Sequence, residues 1–186
     1  MICAYDKVYL NMAQRVMGNM LNYAVYDCGY ELSEYYNIFL ESGYSDRFGK
    51  GDIFVIAGMS GAELAIKVLD IPDDKIIMPG VYDGRSQEYW TGWILAYYQW
   101  YTGRTFIKIY KVVSVQELLN MYDVYHEMDI QKFVDEINER WEAFYTETNL
   151  KRIRLISGLS QRELAELSNV PLRQIQLFEQ RQRDIN

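Results

Sequence analysis

His126, in the run YHEMD, stands beside Glu127 and close to Asp129, and an imidazole among carboxylates is the ligand chemistry of a divalent metal. Such a site needs three or four convergent ligands, and the sequence has no second histidine to complete an H-E-x-x-H pair. His126 is therefore read as a surface or helix-capping residue. The run GYSDRFGKGD at 43–52 has the outline of a phosphate loop, but the spacing from Gly43 to Gly49-Lys50 is wrong and Gly51 replaces the needed Ser or Thr. It reads as a turn. One histidine and no nucleophile elbow leave nothing for acyl-transfer chemistry. Cys3 and Cys28 lack CxxC spacing and are read as reduced thiols. The expectation is a protein without metal, cofactor or enzymatic activity.

The remaining chemistry is charge. The formal balance of −7 argues against a nucleic-acid binder, since affinity for phosphates comes from clustered Lys and Arg. Its distribution reverses part of that argument. From 151 onward, Lys151, Arg152, Arg154, Arg162, Arg173, Arg181 and Arg183 face only Glu163, Glu166, Glu179 and Asp184, a local balance of +3. The preceding 150 residues carry −10. A basic tail on an acidic body implies that the two parts meet different partners.

The elements that must carry these charges read as helical almost throughout. Apolar residues recur at helical spacing and only three prolines interrupt them, so the expected class is all-α. Val8, Met12, Val16, Met20 and Val25 mark the stripe of a long first helix ending near Gly29, and a second runs from about Leu32 to Leu40. IFVIAG at 53–58 has the composition of a short buried strand, although a helix start follows it. Ser60/Glu63, Ser114/Glu117 and Ser160/Glu163 each have the S-x-x-E spacing of a capping box and predict three helix starts. Residues 71–85, with two prolines and two glycines, read as a connection. SQEYWTGWILAYYQWYTG is apolar on nearly every side and predicts a central buried helix holding Trp90, Trp93, Tyr97 and Trp100. A last helix of the body is expected from about Asp129 to Phe144. The polar TETN after it places the boundary between a 1–145 acidic, aromatic-rich domain and a 146–186 module.

That module reads LKRIRLISGLSQRELAELSNVPLRQIQLFEQRQRDIN from Leu150. Leu150 and Ile153 face inward from a first helix, Gly158-Leu159-Ser160-Gln161 opens a second, and Leu164-Ala165 lies within it. A turn passes through Asn169-Val170, and Ile175, Phe178 and Glu179 stand on a third helix. This pattern resembles the Cro/C1-type (XRE family) helix-turn-helix over about 37 residues. Ala165 is small where two helices cross, Leu164 and Ile175 supply their contact, and Pro171 suits a first helical turn. The resemblance implies duplex DNA as partner, with helix three in the major groove and the start of helix two on phosphate. It assigns Gln161 and Arg162 to the phosphate side, and Leu172, Arg173, Gln174 and Leu177 to the base-facing positions. Arg173 is the candidate reader of guanine, while Arg181 and Arg183 are expected to meet the backbone. Leu172 and Leu177 depart from the pattern, being apolar where polar readers are common. Asn186 falls where the family's fourth helix begins; in the family that helix and the fifth complete the small core and often the dimer contact, so the module is expected to lean on the N-terminal body, and a homodimer is expected through that body.

The partner expected for the body is a protein. Asp27, Glu31, Glu34, Glu41, Asp73 and Asp74, intermixed with tyrosines, suit a basic surface. In a regulator that partner is a toxin. The whole chain also resembles helix-turn-helix proteins of Firmicutes mobile elements, a group with anti-CRISPR inhibitors, which implies a Cas9-type nuclease as the alternative. No stretch is apolar enough to span a bilayer and no secretory signal is recognisable, so the cytoplasm is the expected location.

Overall fold

Every regular element of the computed structural model is helical among the described residues, 3–81 and 85–179, the side chains of 146–149 excepted. The expected all-α class is what the chain adopts. It divides into two compact units, Met1–Val134 and Asp135–Asn186. Among the described residues no helix is long and apolar enough to cross a membrane.

The first unit is built on α1 (Leu10–Tyr26), followed by α2 (Leu32–Glu41), α3 (Tyr44–Gly49), α4 (Ile53–Ile56) and α5 (Gly61–Val68). After the 71–85 connection come α6 (Gln87–Thr102), α7 (Phe106–Val112), α8 (Val115–Asn120), α9 (Tyr122–Tyr125) and the start of α10 (Ile130–Ile156). The expected stripe on α1 is only half right. Val16 and Met20 are buried, but Val8 and Met12 are exposed, because the helix begins at Leu10 and packs on two partners rather than one. Gly18 lies against Tyr89 of α6, and Val16, Asn19 and Met20 lie against Gly61 of α5. Two covered sides bury Leu10, Ala13, Met17, Leu21, Tyr23 and Ala24 as well, which no single stripe describes.

α6 is the central helix that its sequence predicts. Ser86 accepts a hydrogen bond from the Tyr89 amide at its start, and Gly103, at φ 64°, closes its end. Tyr89, Ile94, Leu95, Tyr98 and Trp100 are buried, whereas Trp90, Trp93 and Tyr97 are only half-buried. A second aromatic cluster fills the space beside it. Phe106 meets Phe39 and Phe48 edge-on, with centroids 5.5 and 5.6 Å apart, a geometry set by the ring quadrupoles.

IFVIAG forms one helical turn rather than a strand. Asp52 accepts from the Phe54 amide at 3.1 Å and starts it, and no strand is present among the described residues to pair with an extended segment. The 43–52 run, expected as a turn, holds the six-residue α3 between two left-handed glycines, Gly43 and Gly51, and Arg47 pairs with Asp52 at 2.8 Å. The 71–85 connection is tethered to the end of α1, where the Tyr23 hydroxyl donates to the Ile77 carbonyl and Asp27 accepts from the Gly80 amide.

All three capping boxes are closed, with serine oxygen to glutamate amide at 3.2 Å in α5 and α8 and 3.1 Å in the later helix that Ser160 starts. Ser114→Ala is expected to lower the unfolding free energy of the first unit by about 1 kcal/mol, the usual worth of a cap. Ser86→Ala should cost more, about 2 kcal/mol, because the Ser86 hydroxyl also donates to Asn22 of α1 at 2.6 Å. Urea unfolding followed by far-ultraviolet circular dichroism checks this. Equal midpoints for the two variants would mean that the link to α1 contributes nothing.

Candidate nucleic-acid interface

The second unit contains the rest of α10, then α11 (Gln161–Ser168) and α12 (Leu172–Glu179). The helix expected to stop at Phe144 runs on to Ile156. TETN contains no proline or glycine, the two residues that most oppose a helix. The stop comes at Gly158, whose φ of 67° is left-handed, with the Leu159 amide returning to the Arg154 carbonyl.

Asn169, also left-handed at φ 54°, ends α11, and three residues later α12 begins. Asparagine tolerates this conformation because its short polar side chain bonds locally. Pro171 precedes α12 with its carbonyl accepting from the Gln174 and Ile175 amides. Ile175 is the buried residue of α12, at 3% exposure. With 100° per residue, Arg173 and Leu177 then fall on the opposite side. Arg173 and Gln174 are exposed, and Leu172 and Leu177 are half-buried.

Arg154 locks this pair of helices from inside. Its guanidinium donates from two nitrogens to the two oxygens of Glu179, at 2.6 and 2.8 Å, and from Nη1 to the Leu159 carbonyl at 2.7 Å. Gln161 adds a bond from Nε2 to the same carboxylate at 2.7 Å. The two charged side chains are 9% and 2% exposed, yet the covering layer is thin, so short hydrogen bonds rather than a deep low-dielectric interior hold them together. Bonds from Arg154 foremost, and from Gln161, hold the Glu179 carboxyl below its ordinary range; partial desolvation opposes them.

This pair corrects one sequence expectation and changes the meaning of another. Ile153, expected inward, is exposed at 59%, and Arg154, one helical turn from Leu150, takes the inward position. Arg154 therefore does not add to the basic surface. The spacing Leu150/Arg154 together with a lone Glu179 on the third helix is the signal that would have found it.

Gln161, assigned to phosphate, has one side-chain proton committed to Glu179. At the same helix end, Ser160 and Glu163 bond each other's amides, and the Ser160 bonds draw the Glu163 carboxyl below its ordinary range. The backbone amides of Gln161 and Arg162 make no hydrogen bond among the described residues and remain open to an anion. Arg162 is exposed beside them, as are Lys151 and Arg152 on α10. Arg181 and Arg183 lie outside the described residues. Opposite the exposed arginine of α12, Leu150, Leu164, Val170, Ile175 and Phe178 line an apolar groove of about 220 Å³.

In the first unit, Glu31, Glu34, Glu41, Asp73 and Asp74 are exposed. Asp27 is tied to Gly80, and Tyr35 and Tyr36, close in sequence to Glu31 and Glu34, are core residues. No group of three or more His, Cys, Asp or Glu side chains converges among the described residues. His126 stacks on Tyr122 with centroids 4.3 Å apart, and its Nδ1 bonds the Tyr122 carbonyl at 2.8 Å. Compared with protein families, with curated proteins and with solved structures, the chain finds no match.

Proposed function

We propose that this chain is a DNA-binding regulator of the Cro/C1 type, with α11 set on the phosphate backbone and α12 entering the major groove of duplex DNA. The observation that carries the reading is the orientation of α12: Ile175 and the Glu179 carboxylate are held inward, so the side bearing Arg173 and Leu177 is turned outward. The open amides of Gln161 and Arg162 supply the phosphate contact, and the exposed Arg162 side chain adds a charge to it. Arg173 reads a guanine, and Leu177, with Leu172 at its flank, meets apolar surface such as thymine methyls.

Operator selection from random duplexes, followed by anisotropy titrations at several salt concentrations, tests the assignment. Arg173→Ala is expected to lose about 1–3 kcal/mol on the selected site and to relax choice at one base pair. Arg162→Ala is expected to weaken all duplexes alike and to reduce the salt slope by about 1. Identical curves for wild type and both variants across salt would end the reading.

A second reading rests on the exposed carboxylates of the first unit, Glu31, Glu34, Glu41, Asp73 and Asp74 among them, and on its surplus of acidic residues. In it the chain inhibits a basic nucleic-acid enzyme, of Cas9 type, by occupying the channel meant for phosphates. Its mark is stoichiometric inhibition of the nuclease, relieved by Glu31→Lys and Glu34→Lys, without operator preference. In the regulator, the same unit receives a toxin or a second copy of the chain.

A further inference from the structure

The first unit holds a half-open pocket of about 270 Å³ between the start of α6 and α9, lined by Arg85, Tyr89, Trp90, Trp93, Tyr122 and His126. Five of its six lining side chains are aromatic or heteroaromatic rings. Trp90 meets Tyr122 edge-on at 5.6 Å, and His126 stacks on Tyr122, so these walls brace one another. Walls of this kind accept a flat ring by stacking.

The unpartnered polar groups at the pocket favour a negative charge. Arg85 lies over the Tyr89 ring with its Cζ 5.0 Å from the centroid, a contact that attracts the cation without using its N–H groups. It has no ion-pair partner among the described residues. The indole N–H groups of Trp90 and Trp93 likewise make no hydrogen bond among the described residues, and an indole nitrogen only donates. Among the described residues no carboxylate is part of the lining. Glu127 lies 3.6 Å from His126 Nε2 and is 86% exposed, too far for a hydrogen bond and well screened. His126 itself serves as a wall, because a carbonyl has no proton to give and Nδ1 must therefore donate to Tyr122.

We infer that this pocket binds a small planar aromatic anion, its ring against the aromatic walls and its charged group on Arg85 and the indole N–H groups. The volume suits one ring system rather than a drug-sized molecule. A ring bearing a carboxylate and a nucleobase bearing a phosphate share this chemistry. The acidic surface of the rest of the unit repels anions, so local donors carry the whole of the selectivity.

The chain has a single histidine, so the imidazole Cε1–H resonance of His126 reports on the pocket wall alone in the untagged full-length protein. Four probes are titrated: indole-3-acetate against its amide, and adenosine monophosphate against adenosine. The expected result is a saturable shift of that resonance with one of the two anions, at a dissociation constant about tenfold or more below that of its neutral counterpart. Which anion wins separates the carboxylate from the phosphate source. Arg85→Gln is expected to remove that tenfold preference, while Arg15→Gln, an exposed arginine on α1, leaves it intact; far-ultraviolet circular dichroism verifies that both variants are folded. The inference is overturned if all four probes leave the resonance unmoved at millimolar concentration. It also fails if acid and neutral analogue bind alike, or if the two arginine variants behave the same.

Discussion

Gly92→Ala is expected to destabilise the first unit by about 3 kcal/mol or more, at the upper end of what overpacking a filled core does. A Cβ at Gly92 would lie 2.5 Å from the Met17 carbonyl oxygen and 2.9 Å from the Gly18 Cα, so the new methyl meets the backbone of α1. Gly18 sits in the mirror situation, where an added Cβ would lie 2.8 Å from the Tyr89 carbonyl oxygen. Relief would require moving one helix away from the other, and with it Tyr89, Leu95, Met17 and Leu21, all buried around the crossing. Gly43→Ala is the comparison. There a Cβ meets nothing within 4 Å, and only the left-handed φ of 77° is lost, worth about 1–2 kcal/mol. Urea unfolding of both variants checks the prediction. Coincident midpoints would show that α1 and α6 slide apart easily and that their close approach is incidental.

The second large effect is expected from Glu179→Gln, which leaves the Arg154 guanidinium closed from solvent with a neutral amide and the Leu159 carbonyl as its partners. Removing one member of a shielded ion pair is far more damaging than removing both. Hydrogen exchange is therefore expected to rise throughout α11 and α12 in the single variant. It should return toward wild type in Arg154→Leu/Glu179→Leu, where two apolar side chains fill the site. Should the double variant exchange as fast as the single one, the pair would be supplying orientation that packing cannot replace.

The same pair makes a pH prediction whose sign is determined. Glu179 titrates lower in the folded unit than in the unfolded chain, so its contribution is complete above the ordinary carboxylate range. It is lost as pH falls through the depressed value, where the folded form must take up a proton at the expense of the Arg154 bonds. Asp52, Glu63 and Glu163 are depressed as well and give acid limbs of the same sign, with Glu163 also in the second unit. The relevant quantity is therefore the difference between wild type and Glu179→Gln in exchange of residues 150–179 as pH falls. That difference should shrink to nothing at low pH.

Capping explains why so many helix starts were legible. Ser60, Ser114 and Ser160 reach an amide three residues away, so the whole interaction is written within four residues and owes nothing to the rest of the molecule. The end of the first helix at Gly29 and that of α6 at Gly103 were legible for the same reason, both being left-handed positions that glycine occupies without a steric penalty. α4 misled because Ile53-Phe54-Val55-Ile56 has the composition of a strand, while Asp52 and the buried side of one helical turn decided otherwise. The candidate interface was legible as positions: Arg162, Arg173 and Gln174 are exposed. Its internal scaffold was not, since Arg154 read as one more basic residue among seven.

What the amino-acid sequence determined alone was the helical class, the capped helix starts, the glycine stops of the first and central helices, and the contrast between an acidic body and a basic end. These depend on residue periodicity, local hydrogen bonds and charge counts, which act over a few neighbours or none. Tertiary structure decided that α1 is covered from two sides, that Gly18 and Gly92 meet, that Arg154 closes on Glu179, and that Arg85 joins Tyr122 and His126 around a pocket. Each of those joins residues from 25 to 74 positions apart, and no local rule specifies which distant partner a side chain will find until the helices have packed.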